Sequence, residues 1–341
     1  MKSIRHIKYI LPILCGCLVL TAASIAFAQT ARVLIDEFQV AKYVTDVQSA
    51  MNVPSVAVGI VGADRNYFFE TYGPAGHEEP FAIGSLSKSV TAMAVMILVQ
   101  DKKLTLDESA SKWVDGVPGE VTVKDLLQQR SGLGKADDLM GWRKTDVTIE
   151  ELVRQASWAE PRGEFSYSTL NYQILGAIVE KVSEQPFGAF VKERIFEPAG
   201  MTTAHAGPEA PSVHISGHKY VFGYPFSEGE TRYAAAAVAS DFVWMSARDM
   251  EKWIRLFAAG GKLEKKQVIP KDVMDALLAP EGTSPYGMGW FMADEGGLQV
   301  ARSTGATRSF SASMAIVPER KIGVFVLTNV NSWNGYAPES I

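Results

Sequence analysis

A serine and a lysine three residues apart are the first residues in this sequence that could do chemistry. Ser85 and Lys88 precede a segment, residues 90–99, that is apolar apart from Thr91. A buried ammonium is costly there unless another group pairs with it or uses it. Residues i and i+3 of a helix lie about 5–6 Å apart at Cβ, so Lys88 could reach the Ser85 hydroxyl.

This pair could perform nucleophilic catalysis. A lysine in an apolar, crowded site has a lowered pKa and can act as a base near neutral pH. The amides of a helix's first turn are unpaired, so the Ser85 N–H could help to hold an oxyanion. The alternative is an N-cap serine beside a lysine that extends to the surface, and the spacing alone favours that alternative.

The context of the pair separates it from two other S-x-x-K matches, Ser109/Lys112 and Ser216/Lys219. Ser109 lies in a polar connection, and Gly217 makes the second match typical of a loop. Only Ser85 follows a glycine at the start of a long apolar helix.

Two further segments could complete a site. In 161-PRGEFSYST-169 a turn places Tyr167 just before an amphipathic run at residues 171–182. In 301-ARSTGA-306 a strand carries Ser303 and Thr304 before Gly305. A glycine in a strand lets a substrate approach the backbone closely.

The elements that position these residues follow from periodicity. The sequence predicts a helix at 31–50, a hairpin from 53–61 and 66–72, and late strands at 297–303, 309–317 and 323–328. The middle is mostly helical, with predicted helices at 123–129, 149–157, 171–183, 187–196 and 247–259. Strands at both ends with helices between them predict an α+β fold: one antiparallel sheet built from both chain ends, flanked by helices, with an inserted helical lobe. A cleft between the lobes is a natural place for chemistry.

Charge and the first residues exclude several classes of protein. Lys and Arg total 33 against 38 acidic residues, which argues against a nucleic-acid partner. Residues 1–28 have a basic start, an uncharged stretch and an A-x-A site, which indicates an export signal, or an anchor if it is not cleaved. Cys15 and Cys17 both lie in this leader, so the mature chain would have no disulfide, catalytic cysteine or thiolate metal site. We therefore expect a signal peptide at 1–28 and one exported catalytic domain at 29–341, with a sheet lobe at 29–84 and 286–341 and a helical lobe at 85–285.

The motifs together resemble those of a known superfamily. The phrases that carry the resemblance are 83-IGSLSK-88, 104-LTLD-107, 131-SGL-133, 195-IFEP-198 and 327-LTN-329, with Tyr167 and 303-STG-305 in the expected order. The chain resembles the serine β-lactamase/penicillin-binding-protein superfamily in its class C β-lactamase-like branch, from about residue 32 to 330. That branch also holds D-Ala-D-Ala carboxypeptidases, D-aminopeptidases and esterases.

The resemblance implies a role for each matching residue. Ser85 would be the nucleophile, Lys88 would take or share its proton, and Tyr167 would be the general base and later the acid. The backbone N–H groups of Ser85 and Ala306 would form an oxyanion hole, and Thr304 and Gly305 would line the edge strand beside the substrate. No metal or organic cofactor is implied.

Two positions depart from the family pattern. Thr169 stands where the family has an asparagine, which puts contact with a substrate amide in doubt. Ser303 stands where a lysine or histidine is usual, which removes a cation from the site. Arg308, in 305-GATRSF-310, could reach the cleft and bind a substrate carboxylate, although an exposed turn arginine is the more usual case. We expect weaker β-lactamase activity than in a standard member.

The remaining candidates, one acidic residue and three histidines, are less typical of a catalytic or metal site. Glu164 is more typical of an exposed loop carboxylate than of a base. His205, His214 and His218 are not expected to bind metal, because no third ligand is evident near the last two. We therefore expect an exported serine hydrolase acting on small esters, D-amino-acid peptides or, less favoured, β-lactams. The alternative is a catalytically weak, penicillin-recognising sensor or binding module.

Overall fold

Strands from both ends of the chain meet in one antiparallel sheet, which confirms the predicted fold class. The structure is a computed structural model that describes residues 35–134, 147–229, 232–280, 282 and 284–331, so the proposed leader lies outside the described residues. The strands are β1 Val56–Gly62, β2 Asn66–Tyr72, β3 Phe81–Ala82, β4 His205–Ala206, β5 His218–Val221, β6 Tyr224–Ser227, β7 Val243–Met245, β8 Lys262–Leu263, β9 Lys266–Gln267, β10 Phe291–Glu295, β11 Leu298–Ala306, β12 Ser311–Val317, β13 Ile322–Thr328 and β14 Val330–Asn331. The six-stranded sheet has the order β10-β11-β12-β13-β1-β2, and each neighbouring pair is antiparallel.

Helices supply most of the regular secondary structure described between β2 and β10. The α-helices are α1 Glu37–Met51, α2 Ser87–Gln100, α3 Val123–Leu127, α4 Ile149–Gln155, α5 Thr169–Ser183, α6 Phe187–Val191, α7 Val238–Asp241, α8 Ala247–Ala258 and α9 Lys271–Leu277. A 3-10 turn at Gly84–Leu86 leads directly into α2, and a π-helical turn at Lys192–Phe196 follows α6. No helix of the described ranges is long and apolar enough to cross a membrane.

Both faces of the sheet are covered, which explains why its central strands are buried along almost their whole length. All seven residues of β1 and of β12 are buried. Alternate residues of β1 belong to different cores: Val58 packs with Val44 of α1, whereas Ala57 packs in the core that includes Ile254 of α8. Because successive side chains of a strand point to opposite faces, β1 contributes apolar side chains to both hydrophobic cores.

The helix that carries Lys88 is buried on all sides. Every residue of α2 from 87 to 98 is buried, and the helix contacts α5 and α7. A helix that is apolar all round belongs inside a protein. The predicted long apolar helix is thus the centre of the helical lobe.

Candidate active site

Ser85 lies in the turn before α2, pressed against strand β11. Gly84 has φ +56°, and a Cβ at this position would lie 2.5 Å from the Ala306 backbone nitrogen. Both the left-handed backbone and the close contact require glycine. The glycine that marked this S-x-x-K match in the sequence therefore allows the turn to dock on the strand.

Lys88 reaches the Ser85 hydroxyl, one turn along the chain. Its Nζ donates to Ser85 Oγ at 2.9 Å and to the Ser240 carbonyl oxygen at 3.1 Å. The Lys88 side chain is only 1% exposed, and Nζ lies 3.5 Å from Asp241 Oδ1. The buried ammonium is thus bonded and ion-paired rather than extended to the surface.

The electrostatic state of Lys88 differs from the expectation. Burial lowers the pKa of Lys88, but the nearby Asp241 and Tyr167 raise it, and the net pKa lies above the ordinary 10.5. The predicted lowering was wrong because the sequence did not show that a carboxylate would face the amine. Lys88 therefore holds its proton at neutral pH and acts as a charge and a donor, not as a free base.

Tyr167 is held beside this pair by a loop that Gln129 anchors. Ser166 N donates to the Gln129 carbonyl oxygen at 2.8 Å, and Ser168 N donates to Gln129 Oε1 at 2.9 Å. The Tyr167 ring stacks on Phe291 with 5.7 Å between ring centroids, and its centroid lies 5.4 Å from Lys88 Nζ. The two hydrogen bonds flank Tyr167 in the chain and fix its backbone at the site.

Asp241 is a site residue that sequence reasoning missed. Ser85 Oγ donates to Asp241 Oδ1 at 3.1 Å, and Ser240 Oγ donates to Oδ2 at 2.6 Å. Asp241 ends helix α7 and is only 5% exposed. A usable signal existed, since Asp241 is the only charged residue in the stretch from 233 to 247, just as Lys88 is in its own apolar stretch.

Strand β11 offers an open backbone edge next to the nucleophile. Strand β10 pairs with β11 only as far as Arg302, so residues 303–306 have no strand on that side within the described part of the chain. A Cβ on Gly305 would meet the Ile83 carbonyl oxygen and lie 2.8 Å from Ser85 N. The turn that holds the Ser85 N–H therefore adjoins the strand that holds the Ala306 N–H, which are the two groups expected to form an oxyanion hole.

Of the two departures from the family pattern, Ser303 lies on this strand and Thr169 lies in a helix. Ser303 is buried, as is Gly305, whereas Thr304 between them is exposed and so lies on the opposite face of the strand. Thr169 is buried as the first residue of α5, just after the Tyr167 loop. The structure thus places Thr304 away from the face on which Ser303 and Gly305 lie.

Arg308 is engaged elsewhere. Its Nη2 lies 3.3 Å from Glu228 Oε1, and that carboxylate also lies 3.8 Å from Lys219 Nζ. The structure therefore brings Arg308 to Glu228 and not into the group formed by Ser85, Lys88 and Tyr167. Glu164 is exposed.

Neither histidines nor the neighbouring cavity add to the site. Across the described ranges, no three His, Cys, Asp or Glu residues are placed to hold a metal ion. A cavity of about 470 Å³ lies beside the Glu228 carboxylate, between Trp244, Tyr233 and Phe310. The residues that line it do not include Ser85, Lys88 or Tyr167.

A family model and several known proteins are similar to this chain. The model described as Beta-lactamase matches residues 40–340. The chain belongs to the Beta-lactamase family. This family member is 24% identical to Protein flp of Staphylococcus aureus (strain MW2) over 321 residues, which cover 85% of the chain and 62% of flp. It therefore spans less than two thirds of the length of that relative.

Solved structures share the fold of this family member at low identity. The D-amino acid amidase from Ochrobactrum anthropi SV3 has a TM-score of 0.73 and 20% identity, with 86% of this chain and 91% of the amidase covered. The class C beta lactamase from Rhodobacter sphaeroides has a TM-score of 0.71 and 20% identity, with 86% and 94% covered. The resemblance seen in the sequence motifs is thereby confirmed at the level of family and fold.

Proposed function

We propose that this member of the Beta-lactamase family is a serine hydrolase that cleaves an ester or an amide through an acyl-enzyme on Ser85. The observation that carries the proposal is the 2.9 Å hydrogen bond from the buried Lys88 Nζ to Ser85 Oγ. A hydroxyl held against a buried cation, at an open strand edge, is typical of an activated nucleophile. The proximity of Tyr167 to the same ammonium supports this reading.

The reaction would follow a two-step route. Ser85 Oγ attacks the substrate carbonyl, and the oxygen anion that forms accepts hydrogen bonds from the Ser85 and Ala306 backbone N–H groups. The proton of Ser85 passes to a base and then to the leaving group, and water later releases the acyl group. The family resemblance assigns the base and acid roles to Tyr167, whose ring centroid lies 5.4 Å from Lys88 Nζ.

For the substrate, we favour small esters or D-amino-acid peptides over β-lactams. The buried Ser303 leaves a neutral group where the family pattern has a cation, so the attraction for a substrate carboxylate is weaker. The fold shared with a D-amino acid amidase supports a D-amino-acid amide as the first substrate to test.

The direct test compares two serines that share the S-x-x-K spacing. A fluorophosphonate probe is expected to add one label to the wild type and none to Ser85→Ala, because only Ser85 has an activated hydroxyl. Ser109→Ala is the matched control and should label like the wild type. Turnover of an ester and D-amino-acid-amide panel should vanish in Ser85→Ala only. A wild type that neither labels nor turns over any member of the panel would show the proposal to be wrong.

A binding or sensor module is the second candidate, and the neutral Ser303 favours it. Such a protein would be acylated by a reporter penicillin and would keep the adduct, with no turnover of esters or amides. Intact mass measured over hours separates the two functions, since a hydrolase returns to the mass of the free protein.

We also propose that the protein is exported, on the strength of residues 1–28. Cleavage at the A-x-A site would leave Gln29 at the N-terminus of the mature chain, which N-terminal sequencing of secreted or periplasmic material would detect. A chain that retains Met1 in the membrane fraction would instead support an uncleaved anchor.

A further inference from the structure

We propose that Asp241 is a further catalytic residue, whose carboxylate accepts the proton of Ser85 as the nucleophile attacks. The inference rests on the proposed function and changes one of its proton transfers: Asp241 takes the Ser85 proton in place of Tyr167, which remains the acid for the leaving group. It starts from the two charged groups on either side of a single hydroxyl: Ser85 Oγ lies 2.9 Å from Lys88 Nζ and 3.1 Å from Asp241 Oδ1.

The hydrogen-bond directions at Ser85 leave one arrangement. A lysine ammonium has donors and no acceptor, so Lys88 donates to the lone pair of Ser85 Oγ. The hydroxyl has one hydrogen of its own, and the carboxylate oxygen of Asp241 is the acceptor that faces it. The proton that must leave Ser85 during attack therefore already points at Asp241.

The carboxylate is held in place for this transfer. Its second oxygen, Oδ2, accepts from Ser240 Oγ at 2.6 Å, and the residue ends helix α7, which packs against the Ser85 turn. Asp241 is 5% exposed, so little water competes for Oδ1. Lys88 Nζ lies farther from Oδ1, at 3.5 Å, than Ser85 Oγ does. Of these two groups, the Ser85 hydroxyl is therefore closer to Asp241 Oδ1 than the Lys88 ammonium is.

The residues of the site account for every proton that moves in the reaction. In acylation the Ser85 O–H bond breaks, its proton moves to Asp241 Oδ1, and the Oγ–carbon bond forms. When the tetrahedral intermediate collapses, Tyr167 gives its phenolic proton to the leaving group. Lys88, which interacts with both groups, passes one proton to Tyr167 and takes the Asp241 proton in exchange. Deacylation runs the same transfers with water in place of the serine and Ser85 Oγ as the leaving group.

The experiment separates the two bases through the leaving group of the probe. Fluoride leaves a fluorophosphonate without needing a proton, so the labelling rate reports only the removal of the Ser85 proton. Asp241→Asn keeps an oxygen that can accept from Ser85 but is far less basic, and we expect labelling to slow by about 10²–10⁴-fold, the usual contribution of a general base. Tyr167→Phe should slow labelling far less than Asp241→Asn does, but it should lose turnover of amides, which leave only when protonated.

Two controls keep the result specific. Asp249→Asn removes a second buried carboxylate, which accepts from Thr203 N at 3.2 Å and has no contact with Ser85, and should label at the wild-type rate. Acetate or formate should restore part of the labelling rate of Asp241→Ala, whereas chloride at equal ionic strength should not. A dissolved carboxylate can restore the rate only if the missing carboxylate takes part in the proton transfer, and not if Asp241 merely supports the fold.

The labelling results distinguish failure of this inference from failure of the proposed function. Asp241→Asn that labels as fast as the wild type, while Ser85→Ala does not label, would overturn this inference and leave the proposed function standing. A wild type that does not label would overturn both. If both Asp241 variants fail to fold, Asp241→Glu decides, because it keeps a carboxylate but moves its oxygens relative to Ser85 Oγ, and labelling at the wild-type rate overturns the inference.

Discussion

At the residue scale, the site is one hydroxyl between two opposite charges. The Lys88–Asp241 pair is almost fully buried, with the side chains 1% and 7% exposed. Such a pair contributes little net stability when intact, but removing one partner leaves an uncompensated charge in the interior. The same contacts that prepare Ser85 therefore make the site sensitive to single substitutions.

The first prediction concerns this pair. Lys88→Met should lower the free energy of unfolding by about 3–5 kcal/mol at pH 7, and Asp241→Asn in the same chain should restore much of it without restoring labelling of Ser85. The pKa of Lys88 is raised in the folded state, so its stabilisation is complete below the ordinary value of 10.5 and is lost as pH rises through the raised pKa.

Urea titrations of the wild type and Lys88→Met from pH 7 to about pH 12, well above the ordinary lysine pKa, check this prediction. The difference in unfolding free energy between the two proteins should shrink at the alkaline end. A constant difference across that range would contradict the assigned ion pair.

The sequence supported three members of the group and missed the fourth for a physical reason. Ser85 and Lys88 are neighbours on one helix, and the family resemblance supplied Tyr167. Asp241 lies 156 residues from Ser85 in the chain. No local pattern states which distant segment packs on a turn, so the direction of the Lys88 pKa shift was also predicted wrongly.

At the element scale, the approach of two backbones sets the geometry. The turn Gly84–Leu86 rests on β11 because Gly84 and Gly305 have no side chains. The prediction of strand 297–303 stopped three residues before the observed end at Ala306. Residues 304–306, which those predicted bounds leave out, form the part of the strand that adjoins the Ser85 turn.

The second prediction tests this contact. Gly305→Ala would place a methyl group against the Ile83 carbonyl oxygen and 2.8 Å from Ser85 N, so the turn must move. We expect labelling of Ser85 to fall at least about tenfold, since small displacements of a catalytic group cost rate steeply. Gly119→Ala is the matched control, because nothing lies within 4 Å of its Cβ position. Equal labelling of the two variants would contradict the proposed contact.

At the scale of the whole molecule, the order of elements was predictable and several pairings were not. Long apolar runs with turn signals between them are typical of strands, so the runs near both chain ends predicted the antiparallel sheet. The hairpin of β5 and β6 was missed, since Phe222, Tyr224 and Phe226 are exposed and give no buried pattern. The late strand predicted from 309 starts at Ser311, because Thr307 N donates to the Phe310 carbonyl oxygen at 2.9 Å and closes the turn.

The most direct test of the account is to find the residue that carries the acyl or phosphonyl group. After brief reaction of the wild type with the fluorophosphonate, digestion and mass spectrometry should place a single adduct on Ser85. An adduct on the peptide of Ser109 or Ser216, or none on any serine, would contradict the account.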